Sequence, residues 1–433
     1  MGVQKMNRIR NLERISIACF IGTSLAILFY VLFRHTIFWS SNTFLFDPAD
    51  RFNDFYNNYD QWNSKDKAQA LQYVERETGP SLQPLWTIAS FSLGKIPNRH
   101  VALWVHNSLA IVTLIGVLSW AVRKIRLQAK HVLLSVFVLV GSSYPLLFVI
   151  DRANLEWLSA VLLVVALSLD EENPRASAIA LALAIAVKPW AAIIVLWYFI
   201  QKRWGDVYRV VAVYMFLLVT ATFGIRYHYG IDYRDDPFAA LVNYSKYQVT
   251  MVERNFGQAF GHSLYGAIKY VFQIIYESVP SWLTIGYFFF AVVITAVIAG
   301  LNLHLKLMGV AAYYPLLIAA SLLPWVSADY KLLNVLVCGV IVIVGWPDSL
   351  SRTKQIHTVF FVILLIPKAY ISLGRTHPQI IDSSVSVSVL LGPLCMVLLL
   401  TTYFMDIKQM RNQSIRSDFV VECIDRDRLI TGS

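Results

Sequence analysis

Apolar runs, most of about 17–22 residues, recur along the chain with short polar stretches between them, the length a helix needs to cross a hydrocarbon core of roughly 30 Å. They fall at 15–33, 101–122, 131–150, 155–169, 208–225, 282–301, 308–326, 332–346, 357–373 and 385–403. None shows the period-two alternation of a membrane barrel strand. The stretch 176–200 is open to two readings: one helix of ordinary length, or two short spans broken at Lys188-Pro189-Trp190. An apolar segment at 84–96 is short for a crossing and is expected to lie in the interface, and 65–78 has the charge pattern of a surface helix. The pattern predicts an all-α polytopic membrane protein of about twelve transmembrane segments in one domain spanning 1–433.

The basic residues orient these segments. Lys5, Arg8, Arg10 and Arg14 precede the first run, and Arg123, Lys124, Arg126 and Lys130 follow the second, so both groups are expected on the cytoplasmic side. The first run is read as a retained helix, because it is long enough to span and has no evident small-residue cleavage site. Two large loops, 34–99 and 226–281, then face the extracytoplasmic side, and the basic tail 404–433 faces the cytoplasm. Two short spans within 176–200 keep Lys202, Arg203 and Arg209 cytoplasmic and leave Lys188 at the outer end of a broken helix beside a cavity. A single span there, or a crossing at 84–96, would invert every later side.

Composition narrows the class. Of 433 residues 57% are hydrophobic and 15% charged, and the net charge is +10. The mean hydropathy is +0.55. A basic balance suggests nucleic acid, but these cations are spread over short loops instead of one face, so no nucleic-acid partner is expected. Cys19, Cys338, Cys395 and Cys423 form no CxxC pair, and neither a disulfide framework nor a metal site is expected. No HExxH, GxSxG or Walker-type loop occurs, and no cofactor is implied.

The candidate chemistry lies in 44–62, FLFDPADRFNDFYNNYDQW, where Asp47, Asp50, Asp54 and Asp60 stand among aromatic side chains after the first run. A partly desolvated carboxylate suits a general base. The same residue types also suit an interfacial loop for its turns and headgroup contacts alone. Arg152, Lys188 and Lys331 are placed on the same outer face, against the positive-inside tendency. They can hold an anion such as a lipid phosphate, or each can merely snorkel to headgroups. His228 and His262 can act as acid or base or bond within a loop, and Asp235-Asp236-Pro237 reads as a turn.

RFNDFYNNYD in the first outer loop, DRANLE after the third span, ALAIAVKPW followed by KRW, GHSLYGAIK and SADYKLL come in an order that resembles the GT-C membrane glycosyltransferases, specifically glycosyltransferase family 87. The resemblance covers most of the chain up to about residue 334. It implies a GT-C-like bundle and inverting transfer of a hexose from a polyprenyl-phosphate-linked sugar donor to an envelope glycan or glycolipid acceptor. Transfer is expected on the extracytoplasmic side of a bacterial inner (plasma) membrane, among membrane lipids. Asp54 best occupies the position of the family's loop base, with Arg152, Lys188 and Lys331 as donor-phosphate ligands. Asp47, Asp50, Tyr56, Asp151, Asn154, His262, Asp329 and Tyr330 are the further substrate-binding candidates. A single base and cations at the leaving group need no metal, although some GT-C relatives use one. The chain departs from the family in having Gln83-Pro84-Leu85-Trp86 where relatives often carry a YPP-like signature, and Ala153 where they often carry glycine. A lipid-linked-sugar flippase or transporter fits the spans equally well, and an O-antigen ligase or polymerase is the other enzyme class that combines many spans with outer loops.

Overall fold

The computed structural model describes residues 2–33, 51–63, 83–124, 129–229, 242, 246, 261–276, 279–345, 351–368, 370–375 and 384–430. The expected surface helix at 65–78, Asp47, Asp50 and most of the second large loop, including Asp235 and Asp236, lie outside them. The described chain is helical apart from one small hairpin. Five helices are long and apolar enough to cross a membrane: Asn11–Phe33, Arg99–Lys124, Trp204–Gly224, Trp282–His304 and Ser388–Arg411. Their flanks expose large apolar side chains such as Phe20, Leu28, Phe216, Phe289 and Val293. Water would oppose so much exposed apolar surface, and lipid tails do not. The protein is therefore an all-α membrane protein.

Local chemistry explains where helices depart from the sequence pattern. The run 131–150 is two helices, Ala129–Ser142 and Tyr144–Arg152, with an angle of 59° between their described parts. Pro145 in the first turn of the second helix has no N–H for the carbonyl of the preceding turn, while its fixed φ suits the start of a new helix. The run 357–373 also ends early. Helix Arg352–Leu365 stops because Pro367 drives Ile366 into extended backbone (φ −94°, ψ 143°). Lys368 Nζ then caps it, donating to the carbonyls of Leu364 (2.8 Å) and Ile366 (3.0 Å). Beyond it, Ser372–Arg375 pairs antiparallel with Ser384–Ser386, where the sequence suggested the end of a span and a plain loop. The last helix runs without a break over Ser388–Ile430, so the tail expected from residue 404 begins inside it.

The ambiguous stretch 176–200 is broken. Helix Pro174–Val187 ends at Lys188, which is extended (φ −144°, ψ 117°) as the residue before a proline tends to be. The chain restarts through Pro189–Ala192 into Ile193–Ile200. Its two ends come together. Arg203, past the second helix, forks onto Asp170, ahead of the first, at 2.8 and 3.1 Å. The pair is therefore a hairpin with Lys188 at its tip.

Two polar ends result. At one, Arg203, Asp170 and Asp206 join Tyr313 and the Lys124–Glu172 pair (2.7 Å). At the other lie the first-loop helix, the turn 151–156, Lys188, and the segment Ser327–Lys331, tied to residues 261 and 262 by the Gly261–Ala328 bridge and by His262 N donating to Ser327 O (3.0 Å). Short apolar helices join the ends: Glu156–Leu169, Pro174–Val187 and Gly309–Leu322 have 14 residues each, about 21 Å of helix. Leu163, Leu181, Leu317 and Val335 are buried among them.

Candidate functional site

The first-loop helix Asn53–Trp62 has Phe55, Tyr59 and Trp62 on its buried stripe, at helical spacing. Phe55 and Tyr59 pack on Ala102, Leu103 and Ala153. Phe52 ahead of the helix takes the left-handed conformation (φ 61°), and its N–H donates to the carbonyl of Asp151 (2.6 Å). The loop is thus bolted to the turn that follows Tyr144–Arg152. That contact brings Asp54, in the first turn, to Arg152 and Asn154.

Asn154 Nδ2 donates to Asp54 Oδ2 at 2.9 Å. The amide is held in that sense because its own Oδ1 accepts from the backbone N–H of Glu156 (3.0 Å). Arg152 Nε stands 3.8 Å from Asp54 Oδ1. The Asp54 side chain keeps 31% of its surface exposed, enough to be reached by another molecule. It lines a recess with Asn58, Trp86, Ser90 and His106. The His106 imidazole is buried and its tautomer follows from its neighbours. The Trp157 indole can only donate, so His106 Nε2 accepts (3.0 Å) and Nδ1–H donates to Asn107 Oδ1 (3.1 Å).

The cations lie beyond the same turn. Lys188 Nζ is 5.9 Å from the centre of the Tyr330 ring, which stacks on Phe148 (centroids 6.0 Å apart). Lys331 donates to the Val326 carbonyl at 3.2 Å. Burial lowers its pKa from 10.5 to about 8; the negative charge of Glu156 opposes the shift and the positive charge of Lys188 adds to it. Glu156 is fully buried, and its Oε1 accepts from Trp190 Nε1 (2.8 Å) and Asn334 Nδ2 (2.7 Å). Glu156, Trp190, Asn334 and His106 were not among the sequence candidates. The only signal for Glu156 was its place in DRANLE, and His106 reads as one polar residue in an apolar run.

Other candidates go elsewhere. His262 and Asp329 meet each other, fully buried, with Nδ1 2.9 Å from Asp329 Oδ1 and Nε2 3.0 Å from Ser327 Oγ. Asp329 Oδ2 accepts from Tyr144 (2.7 Å) and Ser388 (3.3 Å). Burial lowers the pKa of His262, with Asp329 opposing. The pair pins the end of the second loop beneath Tyr330 and Lys331; neither side chain lines the recess at Asp54. Tyr56 bonds His100 (3.2 Å) beneath the Arg99 guanidinium (5.0 Å), and Asp151 pairs with Arg51 (3.8 Å). Among the described residues no set of three His, Cys, Asp or Glu side chains converges as metal ligands would. No family model, curated protein or solved structure matches the chain.

Proposed function

We propose that the protein is an inverting membrane glycosyltransferase that moves a hexose from a polyprenyl-phosphate-linked sugar to an envelope glycan or glycolipid on the extracytoplasmic face. In this reading the short apolar helices also cross, completing a GT-C-like bundle of about twelve segments. The observation that carries it is the Asp54 carboxylate, which is partly exposed in a recess, oriented by Asn154 at 2.9 Å and flanked by Arg152 at 3.8 Å. A base and a cation side by side are what the reaction needs.

Asp54 takes the proton of the acceptor hydroxyl as that oxygen forms a bond to C1 of the hexose. The bond from C1 to the phosphate oxygen breaks on the opposite face, and the polyprenyl phosphate leaves with the electron pair. Its added negative charge is stabilised by Arg152, Lys188 and Lys331. A phosphate is already a good leaving group, so fixed positive charge serves it better than a general acid. Holding the lipid phosphate at the interface next to Asp54 supplies proximity.

Purified protein given a radiolabelled polyprenyl-phosphate hexose and a crude envelope extract tests this. Wild-type transfer that is lost in a normally eluting Asp54→Asn variant is the expected result. No wild-type transfer from any polyprenyl donor, with movement of such lipids across vesicle bilayers, would establish a flippase instead.

A further inference from the structure

Glu156 has no part in the steps above, yet it is a fully buried carboxylate on the same turn as Arg152 and Asn154. It follows Asn154, the residue that orients Asp54, by two positions. Its side chain leaves the turn and ties two other segments together. One oxygen, Oε1, accepts from the indole of Trp190, two residues after Lys188. The same oxygen accepts from the amide of Asn334, three residues after Lys331, and that amide also donates to the Lys331 carbonyl (3.3 Å). Its partner oxygen, Oε2, is buried without a hydrogen bond among the described residues. An unbalanced buried carboxylate is costly, and side chains of opposite charge offset that cost. Lys188 and Lys331 stand on the two turns it holds.

We infer that Glu156 is a positioning residue that clamps the turns bearing Lys188 and Lys331, so that both cations meet one phosphate group of a polyprenyl-phosphate ligand. This rests on the donor chemistry proposed above. It differs from Lys188 and Lys331 in not touching the ligand itself: it acts by setting the separation of the two ammonium groups.

The test is binding of a short-chain polyprenyl monophosphate to the full-length protein in detergent, with the matching polyprenol as the ligand that lacks only the phosphate. Wild type is expected to prefer the phosphate. Glu156→Ala is expected to lose about tenfold in affinity for the monophosphate, the size of one charge-assisted hydrogen bond, with polyprenol binding unchanged. Glu156→Gln, whose amide oxygen can still accept both bonds, should recover most of the loss. Should Glu156→Ala not elute as a folded species, Asn334→Leu and Trp190→Phe each remove one arm of the clamp, and each is expected to weaken monophosphate binding selectively. Equal affinity in wild type and these variants, or an equal loss for both ligands, overturns the clamp while leaving the donor reading standing. A wild type without preference for the phosphate overturns the donor reading and the clamp with it.

Discussion

Asn154 reaches across from the end of one helix to hold the carboxylate of Asp54 at 2.9 Å, one hundred residues earlier in the chain. Its other amide atom is spent on the Glu156 N–H, so these two bonds fix which way the Asp54 carboxylate points. Asn154→Ala should therefore lower kcat by about ten- to a hundredfold, less than the roughly hundred- to ten-thousandfold that a general base itself contributes because the carboxylate remains, with little change in donor KM. Steady-state kinetics on the purified variant checks the split; a change confined to KM would assign Asn154 to binding instead.

Lys331 gives a pH signature. Its ammonium is held at a pKa of about 8, so it is charged below that value and neutral above it. kcat/KM for the donor should fall as pH rises through about 8, and Lys331→Arg should flatten this alkaline limb because guanidinium stays charged. Stability moves the other way. The folded pKa lies below the ordinary value of 10.5, so the unfolded chain binds more protons between the two, and stability rises with pH across that window. Initial rates and thermal melts from pH 7 to 10 separate the two effects.

His262 predicts acid sensitivity. Burial depresses its pKa in the folded state, so its contribution to stability is fully present above about 6.5, the ordinary value for an exposed imidazole, and declines as pH falls toward the folded value. His262→Ala should cost about 1–3 kcal/mol, since it leaves Asp329 Oδ1 buried without its imidazole partner while Oδ2 keeps Tyr144 and Ser388. It should also remove part of the acid limb of a melting-temperature profile between pH 7 and 5. A variant that melts like wild type across that range would show that the His262–Asp329 pair is not a structural pin.

Ala153 occupies the left-handed region (φ 50°, ψ 46°), where glycine is at ease and L side chains are strained by about 1–2 kcal/mol. Its methyl is buried against the first-loop helix, which offsets part of that strain. Ala153→Gly should change stability by no more than about 1 kcal/mol, while Ala153→Val, branched and left-handed, should destabilise by more than about 2 kcal/mol. Chemical or thermal unfolding of both variants reads this directly.

Sidedness can be read chemically. Asn57 on the first-loop helix and Arg175 at the Asp170 end are both exposed. On a background with the native cysteines replaced, Asn57→Cys should react with a membrane-impermeant maleimide from outside intact cells, and Arg175→Cys only after permeabilisation. The reverse pattern would place the Asp54 recess in the cytoplasm.

Much was legible in the sequence, for reasons that lie within single segments. Length and apolarity alone determined the long helices such as Arg99–Lys124 and Trp282–His304. Pro189 after Lys188 marked a break, because a proline constrains its predecessor wherever it occurs. The run around Asp54 stood out because carboxylates are rare in so apolar a chain. Pro145 and Pro367 carried the same local signal, but each sat inside a hydrophobic run, and hydropathy averages over a single missing N–H. Tertiary structure decided what pairs with what. Whether 176–200 crossed once or returned depended on Arg203 finding Asp170, 33 residues away. Whether His262 and Asp329 met a ligand or each other depended on a 67-residue separation that no spacing rule encodes. Glu156 is the sharpest case: nothing local distinguishes a helix-start glutamate from a capping one. Only the packing of three segments placed Trp190 and Asn334 on one of its oxygens, because a buried carboxylate must take its partners from whatever the fold brings near.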